Sequence, residues 1–390
     1  MIRIPAHITN ISEPQFDVLN QLADRRRARG AEVENLGQAL PGFPPPPVAV
    51  AALQKSLADG ESHIYSSVAG TMELREALAA RLADNFGAEI DPASEVIITA
   101  GGNQAFMLAM LTLVSPGDEI VLPSPYFLNH EMAVRIVGAT PVEAPIPAEH
   151  GFVPTWADLE PHLSPRTRGI VLVTPANPTG AVIPRATLEV IVREARARQL
   201  FVAIDETYKD FVYEGAATVG AALPLWRETV VSCGSFSKSY GITGWRCGYF
   251  VAPPHVRAQA MKIQDTMVIC APVPVQKAIT AILREAGDYP QQFVPELTRR
   301  RALVLEKLRA IPGVHPVAPG GGFFVMAHVD GVADSETLAH RLIEQALVVC
   351  MPGRFFGAAG EGYLRLCYSA VPTDRLAAAC DRIAAMLATT

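Results

Sequence analysis

The sequence has little charge, no long apolar run and no basic cluster beyond the triplets Arg25–Arg27 and Arg299–Arg301, for which a solvated helix face is favoured. Charged side chains make up 18% of its 390 residues, and the formal net charge is −6. A weakly negative chain has no field that attracts nucleic acid or an anionic membrane surface, so we expect neither as a partner. A membrane-spanning helix needs about 20 apolar residues in succession and is not expected. The opening segment MIRIPAHITNISEP lacks the apolar stretch of a signal peptide.

Cysteine is also scarce, and its spacing excludes the usual ligand patterns. The six cysteines form no CxxC pair, and no Cys/His cluster has the spacing of a zinc site, so no metal is expected. Most of them lie in apolar segments such as VVSCGS and LRLCYS, which favours buried, unreactive thiols over disulfides. Free thiols are typical of a reducing compartment, and we therefore expect a cytoplasmic protein.

What the sequence does contain is an alternation of apolar strands and helices across its middle. Short β-branched or apolar runs end in turn residues at EVIIT, DEIVLP, RGIVLVTP, LFVAIDE, TVVSCGS and CGYFVA, with helical patterns between several of them. Continuous apolar strands separated by helices are typical of a mainly parallel sheet covered on both faces. We therefore predict an α/β fold whose large domain spans residues 44–283.

The two ends of the chain differ from this middle part. After residue 283, helical patterns surround two strand patterns, GGFFVMAHV and GYLRLCYS, which predicts a smaller α+β domain over residues 284–390. Residues 1–43 are predicted to form an N-terminal arm and part of that small domain. The chain would then cross to the large domain through Pro44–Pro47, a run expected to be a stiff, extended connector.

The residues suited to chemistry follow the predicted strands, at the sheet edge where α/β proteins bind ligands. Ser235, Ser237 and Lys238 come directly after TVVSCG, and Arg246 lies eight residues beyond the lysine. Hydroxyls and a guanidinium form a good phosphate clamp. A lysine desolvated among small residues loses its proton more easily, and Schiff-base chemistry requires that neutral amine. The alternative is an exposed loop lysine.

Two more strand ends carry suitable residues. Gly101, Gly102 and Asn103 lie between the strand EVIITA and an apolar helix, where backbone N–H groups can bind a phosphate. An ordinary tight turn capped by Asn gives the same pattern. Asp205 closes the strand LFVAID and is either a helix cap or the partner of a protonated pyridine nitrogen. Tyr208, three residues further on, could reach the phenolic oxygen of such a ring.

An asparagine and an arginine complete this set. Asn177 begins the turn NPTG after the strand IVLVTP and is either a plain turn residue or a hydrogen-bond partner of a cofactor. Arg365 lies between two leucines in the strand pattern GYLRLCYS. A buried guanidinium requires a carboxylate. Either an internal salt bridge or the α-carboxylate of a substrate could supply it.

Together these segments resemble the class I/II aminotransferases, fold type I pyridoxal-phosphate (PLP) enzymes of the aspartate aminotransferase superfamily. The resemblance covers about residues 30–388 and rests on SFSKSYGITGWRCGY, NPTG, DETY and YLRLCYS, which occur in the family's order. It implies a large domain with a helix-covered sheet, a smaller α+β domain and a PLP cofactor. The implied activity is ping-pong transfer of an α-amino group from an amino acid to a 2-oxo acid.

The resemblance also implies a role for each matching residue. Lys238 would hold the cofactor as a Schiff base and move the α-proton, and Asp205 would pair with the pyridinium nitrogen. Tyr208 and Asn177 would bind the phenolic oxygen, while Tyr126 of PSPYF would stack on the ring. The phosphate would be held by Gly101, Gly102, Asn103, Ser235, Ser237 and Arg246.

On the substrate side, the resemblance places Arg365 on the α-carboxylate, with Asn177 and Gly37 of NLGQALPGF next to the substrate. Tyr65 matches a tyrosine that reaches the phosphate of the neighbouring subunit. That match implies a homodimer with shared active sites.

The identity of the amino donor depends on the cations near the site. MKIQDTMVICA, residues 261–271, is mainly apolar and offers only Lys262 to a second substrate carboxylate. His130 and Arg135 are further cations, but a solvated helix face is favoured for both.

The N-terminal segment NLGQALPGFPPP resembles the kynurenine, glutamine and methionine aminotransferase branch, from which Ala39, Leu40 and Gly42 depart. We therefore expect a neutral, aromatic or sulfur-containing donor. The alternatives are an aspartate-type aminotransferase and a PLP-dependent β-lyase of the cysteine-conjugate type on the same fold.

Overall fold

A computed structural model describes residues 2–13 and 15–388 of the chain. The strands among these residues are β1 (Glu34–Asn35), β2 (Val96–Thr99), β3 (Glu119–Ser124), β4 (Thr140–Pro145), β5 (Thr167–Val173), β6 (Phe201–Asp205), β7 (Val230–Ser235), β8 (Gly248–Val251), β9 (Val314–Val317), β10 (Phe324–Val329), β11 (Val348–Val349), β12 (Met351–Pro352) and β13 (Tyr363–Cys367). The α-helices are α1 (Ala6–Thr9), α2 (Gln15–Arg27), α3 (Pro47–Leu57), α4 (Met72–Phe86), α5 (Gly102–Leu113), α6 (Leu128–Ile136), α7 (Trp156–Leu159), α8 (Arg185–Ala197), α9 (Trp226–Thr229), α10 (Pro254–Val268), α11 (Val273–Glu285), α12 (Val294–Arg309), α13 (Ser335–Arg341) and α14 (Thr373–Leu387).

The larger sheet has seven strands in the order β2-β8-β7-β6-β5-β3-β4. The neighbours from β7 to β4 are parallel, and β8 is antiparallel to both strands beside it. Its strands are apolar runs because helices cover both faces. Leu188 and Ile191 of α8 pack on one face, whereas Ala105 and Leu108 of α5 pack on the other. The predicted α/β fold with a mainly parallel sheet is confirmed.

A second, four-stranded sheet is antiparallel throughout, in the order β12-β13-β10-β9. Arg365 lies in the middle of β13, opposite Met326 of β10 and Met351 of β12. The N-terminal arm joins this part of the chain through a parallel pairing of β1 with β11. The predicted smaller α+β unit is therefore present. The domain boundaries at residues 43/44 and 283/284 stay predictions.

Two local expectations differ from the structure. The proline run is extended only through Pro46, and α3 begins at Pro47, because the N–H that proline lacks has no partner in the first helical turn anyway. One of the helices predicted after residue 283 ends as an α-helix at Arg341 and continues as a π-helical turn, Leu342–Ala346. Within the described residues, none of the helices has the length and apolar character that crossing a membrane requires.

Candidate active site

A cavity of about 400 Å³ opens where the carboxyl ends of β5, β6 and β7 meet. Small-molecule sites have volumes of roughly 300–1,000 Å³. The predicted site residues that line it are Gly102, Asn103, Asn177, Asp205, Tyr208, Ser235, Ser237, Lys238 and Arg246. Much of the remaining wall comes from the N-terminal arm and from turns after the strands, through Phe16, Gln38, Ala39, Leu40, Phe127, Thr243 and Gly244.

Lys238 lies three residues beyond the end of β7, and its amine faces the N-terminal arm. Its Nζ donates a hydrogen bond to the carbonyl oxygen of Ala39 at 2.6 Å. Burial, assisted by the charges of Arg246 and Arg365, lowers the pKa of Lys238 to about 8. An exposed loop lysine would show neither the contact nor the shift. A lysine with this pKa has an appreciable neutral fraction near neutral pH, as Schiff-base formation requires.

An anion-binding surface lies beside the lysine, at the N-terminus of α5. Gly101 has a φ of +92°, and a Cβ at this position would collide with the guanidinium of Arg246. Arg246 Nη1 lies 3.4 Å from Ser237 Oγ, and the N–H of Ser237 donates to Ser235 Oγ at 3.1 Å. A helix N-terminus, two hydroxyls and a guanidinium in one cavity suit a phosphate group.

Asp205, the last residue of β6, is bound by an imidazole and a backbone amide. His130 Nε2 lies 3.2 Å from Asp205 Oδ2, and the N–H of Thr207 donates to Asp205 Oδ1 at 2.9 Å. Burial alone would raise the pKa of Asp205, but the His130 and Thr207 interactions outweigh it and hold the pKa below its ordinary value. The carboxylate is therefore kept ionised, as a partner of a protonated pyridine nitrogen must be.

The expectation that His130 lies on a solvated helix face is wrong. Its side chain is 3% exposed and stacks against Phe106, with ring centroids 4.0 Å apart. It shares the buried face of α6 with Ala133 and Val134, three and four residues further on. The spacing of these three residues, which places them on one face of a helix, is the sequence feature that indicates a buried His130. Arg135 does lie toward solvent, paired with Glu131.

Tyr126, which was predicted to stack on the ring, is not among the residues that line the cavity. Its hydroxyl donates to Glu143 Oε1 at 3.1 Å, on the far side of the turn after β3. Phe127 lines the cavity instead. The backbone at Phe127 is extended, and successive side chains of extended backbone point in opposite directions. Only one of this aromatic pair can therefore face the cavity.

Arg365 is fully buried and is not among the residues that line the cavity. It contacts the cavity wall through Asn177, which does line it. Its Nη1 donates to Asn177 Oδ1 at 2.9 Å, and its Nη2 donates to the carbonyl oxygen of Gly37. Its Nε has no partner among the described residues, and no carboxylate there forms an ion pair with it. Burial lowers its pKa to about 10. The internal salt bridge considered from the sequence is thus not present in the described part of the chain.

The remaining predicted residues lie at the edge of this arrangement or outside it. Tyr208 is buried, and burial raises the pKa of its hydroxyl above its ordinary value, with Asn177 as a hydrogen-bond partner. Gly37 contributes its carbonyl to Arg365, and a Cβ there would lie 2.9 Å from Val349 Cγ1. Tyr65 is 75% exposed and outside the cavity of its own chain.

A lysine that can form a Schiff base, an ionised aspartate and an anion cradle at one sheet edge define a PLP-dependent transferase. Residues 31–383 match the family described as aminotransferase class I and II. The chain belongs to this family, and it is a PLP-dependent aminotransferase.

Curated relatives agree with this assignment. The chain is 34% identical to aromatic-amino-acid aminotransferase 2 of Thermococcus litoralis, over 92% of this chain and 93% of the relative. It is 33% identical to an aspartate aminotransferase of Pyrococcus horikoshii, over 92% and 91% of the two chains. Among solved structures, the aspartate aminotransferase of Thermus thermophilus with maleate superposes with a TM-score of 0.92 at 31% identity, over 99% of this chain and 100% of that one.

Proposed function

We propose that the enzyme moves the α-amino group of a neutral, aromatic or sulfur-containing L-amino acid to a 2-oxo acid by a ping-pong mechanism. Both half-reactions would use the same cavity. The observation that carries this donor class is the charge of the cavity wall. Among the described residues that line it, Lys238 and Arg246 carry the positive charges, and both are assigned to the cofactor.

The rest of the wall is suited to an apolar or neutral side chain. Phe16, Leu40 and Phe127 contribute apolar surface, and Gln38 is uncharged. A second substrate carboxylate placed there without a cation would lose hydration and gain no partner. The cost is on the order of 3 kcal/mol or more, which corresponds to at least about 100-fold in specificity.

An aspartate-type aminotransferase is the second candidate. Relatives at about one-third identity include both an aromatic-amino-acid and an aspartate aminotransferase, so their names do not separate the two donor classes. The described residues that line the cavity offer no cation beyond Lys238 and Arg246, and this favours the first.

The residues present fit PLP, because the lysine, the carboxylate and the anion cradle share one cavity. Bound PLP supplies the electron sink for charge that develops at the substrate α-carbon. Lys238 is proposed to hold the cofactor through Nζ and then to accept and return the α-proton at that atom. Asp205, kept ionised by His130, holds a proton on the pyridine nitrogen. The hydroxyl of Tyr208 and the amide of Asn177 orient the phenolic oxygen.

We propose two separate anion sites, one for the phosphate of the cofactor and one for the α-carboxylate of the substrate. The cofactor phosphate would bind to Gly102, Asn103, Ser235, Ser237 and Arg246, next to the N-terminus of α5. The substrate α-carboxylate would bind to Arg365, whose amino groups are held by the neutral oxygens of Asn177 and Gly37. A carboxylate forms stronger, charge-assisted hydrogen bonds with a guanidinium than such neutral acceptors do.

We further propose that two copies of the chain form a homodimer in which Tyr65 completes the neighbouring site. Ile64 and Tyr65 are 66% and 75% exposed, and Met72 is 40% exposed. Exposed apolar side chains grouped in one segment are typical of an interface. The exposure of Tyr65 leaves it available to a second copy.

A half-reaction screen tests the donor class. The holoenzyme is mixed with each L-amino acid in the absence of a keto acid, and the loss of the visible Schiff-base absorption is followed. Phenylalanine, tyrosine, methionine or glutamine should react at least tenfold faster than aspartate at equal concentration. Aspartate as the fastest donor would overturn the proposal. Release of pyruvate and ammonia from a cysteine conjugate without a keto acid would favour a β-lyase.

A further inference from the structure

Glu143, on β4, binds three groups outside the cavity. Its Oε1 accepts from the Tyr126 hydroxyl at 3.1 Å, and its Oε2 accepts from Ser124 Oγ at 3.2 Å and from the N–H of Ala358 at 2.9 Å. Ser124 and Tyr126 lie at the end of β3 in the large sheet. Ala358 belongs to residues 356–358, the loop between β12 and β13 of the small sheet. One carboxylate therefore connects the two sheets.

The loop approaches this carboxylate too closely for any side chain at its middle residue. Gly357 has a φ of +104°, and a Cβ there would collide with Ser124 Oγ and lie 2.9 Å from Glu143 Oε2. A second hydrogen bond, from the N–H of Tyr126 to the carbonyl oxygen of Phe356 at 2.8 Å, fixes the other end of the loop. The loop is thus held against the end of β3 on both sides of the glycine.

At each end of this connection, a residue lies next to the active site. The ring of Phe356 is fully buried, and its centroid lies 5.1 Å from the guanidinium carbon of Arg365. On the other side, the Tyr126 hydroxyl is held away from the cavity while Phe127, the next residue, lines it. A change at Glu143 would therefore reach the guanidinium through Phe356 and the cavity wall through Phe127.

We propose that Glu143 is a positioning residue that sets the affinity for the substrate carboxylate. It does so by holding Phe356 against Arg365 and by keeping Tyr126 turned outward, so that Phe127 faces the cavity. This inference rests on the proposed role of Arg365. Glu143 itself touches neither substrate nor cofactor.

The variants are chosen by how many of the three hydrogen bonds to Glu143 each of them removes. Glu143→Ala removes all three acceptor contacts. Glu143→Gln keeps an oxygen for the N–H of Ala358 and an amide that can donate to the Tyr126 hydroxyl, so it should rescue most of the function. Tyr126→Phe removes one contact and leaves the loop contact in place. Glu149→Ala, at an exposed carboxylate in the turn after β4, is the matched control.

The test compares holoenzymes with the L-amino acid that the wild type converts fastest. Glu143→Ala should raise KM by about fivefold to fifty-fold, since hydrogen bonds to a charged acceptor are lost, while kcat changes by less than about threefold. Tyr126→Phe should show a smaller increase. Glu143→Gln and Glu149→Ala should stay within twofold of the wild type. Hydrogen exchange at the Ala358 amide should accelerate in Glu143→Ala and not in Glu149→Ala.

Arg365→Ala, measured in parallel, separates two kinds of failure. If it raises KM while Glu143→Ala leaves KM within twofold of the wild type, the positioning role is refuted and the role of Arg365 stands. If Arg365→Ala leaves KM unchanged, the role of Arg365 itself fails. Should Glu143→Ala not fold, Glu143→Leu, which has a similar size and no hydrogen-bond acceptor, replaces it. A KM within twofold of the wild type in Glu143→Leu would overturn the proposal.

Discussion

Arg365 Nη1 donates a 2.9 Å hydrogen bond to Asn177 Oδ1, so a residue of the small sheet is hydrogen-bonded to the turn after β5. The guanidinium is fully buried, and the rings of Phe324 and Phe356 lie 4.8 and 5.1 Å from its central carbon. Aromatic faces attract a guanidinium, but they do not neutralise its charge. The charge of the guanidinium therefore has no anionic partner among the described residues, as its proposed role in binding the substrate carboxylate requires.

Arg365→Ala should raise KM for amino and keto acids by about 10- to 100-fold, the range expected from losing hydrogen bonds between charged groups of about 1.5–3 kcal/mol. PLP content should stay near that of the wild type. Arg365→Lys keeps the charge without the two-pronged geometry and should recover only part of the affinity. Loss of PLP instead of substrate affinity would show that Arg365 has a structural role.

Lys238→Ala should abolish both the visible Schiff-base absorption and turnover, because the neutral amine is the group that Schiff-base formation requires. Absorption spectra and single-turnover assays measure the two losses separately. Lys262→Ala is the matched control, since Lys262 is exposed and hydrogen-bonded to Gln259. Retention of the absorption band in Lys238→Ala would refute the assignment.

The pH dependence of cofactor uptake follows from the pKa of Lys238, which burial lowers from 10.5 to about 8. The rate at which cofactor-free enzyme forms the Schiff base should rise with pH and level off above about 8, where the amine is neutral. Between pH 8 and 10.5 the unfolded chain binds more protons at this residue than the folded chain does. Its contribution to the stability of the cofactor-free enzyme should therefore increase with pH in that window. A rate that still rises at pH 10 would contradict the shift.

Local sequence patterns predict where the strands of the large sheet end. The positions of Lys238, Asp205 and Asn177 after predicted strands place them at one edge of the sheet. Apolar runs mark buried parallel strands, and the carboxyl ends of such strands share an edge. The sequence alone does not place His130 correctly, because its helix also carries the charged residues Glu131 and Arg135, which pair with each other.

The aromatic pair after β3 shows a different limit. Which of Tyr126 and Phe127 faces the cavity depends on Glu143, a residue on the neighbouring strand. A contact between strands is a tertiary relationship, and no spacing within PSPYF encodes it. The same holds for Arg365, because only the fold shows that it has no carboxylate partner among residues 2–13 and 15–388.

His130→Leu tests the contribution of His130, the histidine that contacts Asp205. Removing the imidazole takes away one of the interactions that hold the pKa of Asp205 down, so that pKa should rise and the ionised form should become less favoured. We expect kcat to fall by about 10-fold or more, in line with the loss of one charge-assisted hydrogen bond, together with weaker PLP binding. Steady-state kinetics and PLP titration measure these effects. Arg135→Ala, five residues further along α6, should leave both within twofold. Equal losses in the two variants would point to general disruption of the helix.

The shared-site homodimer can be tested by complementation between two defective chains. Lys238→Ala lacks the cofactor lysine and Tyr65→Ala lacks the proposed contribution to the neighbouring phosphate, so each homodimer alone should be impaired. In a mixed dimer, the site that takes Lys238 from one chain and Tyr65 from the other is fully native. Co-expression with two affinity tags isolates this mixed dimer, whose activity per dimer should approach half that of the wild type. If Tyr65 acted within its own chain, no site in the mixed dimer would be native, and activity would stay at the level of the Tyr65→Ala sites alone.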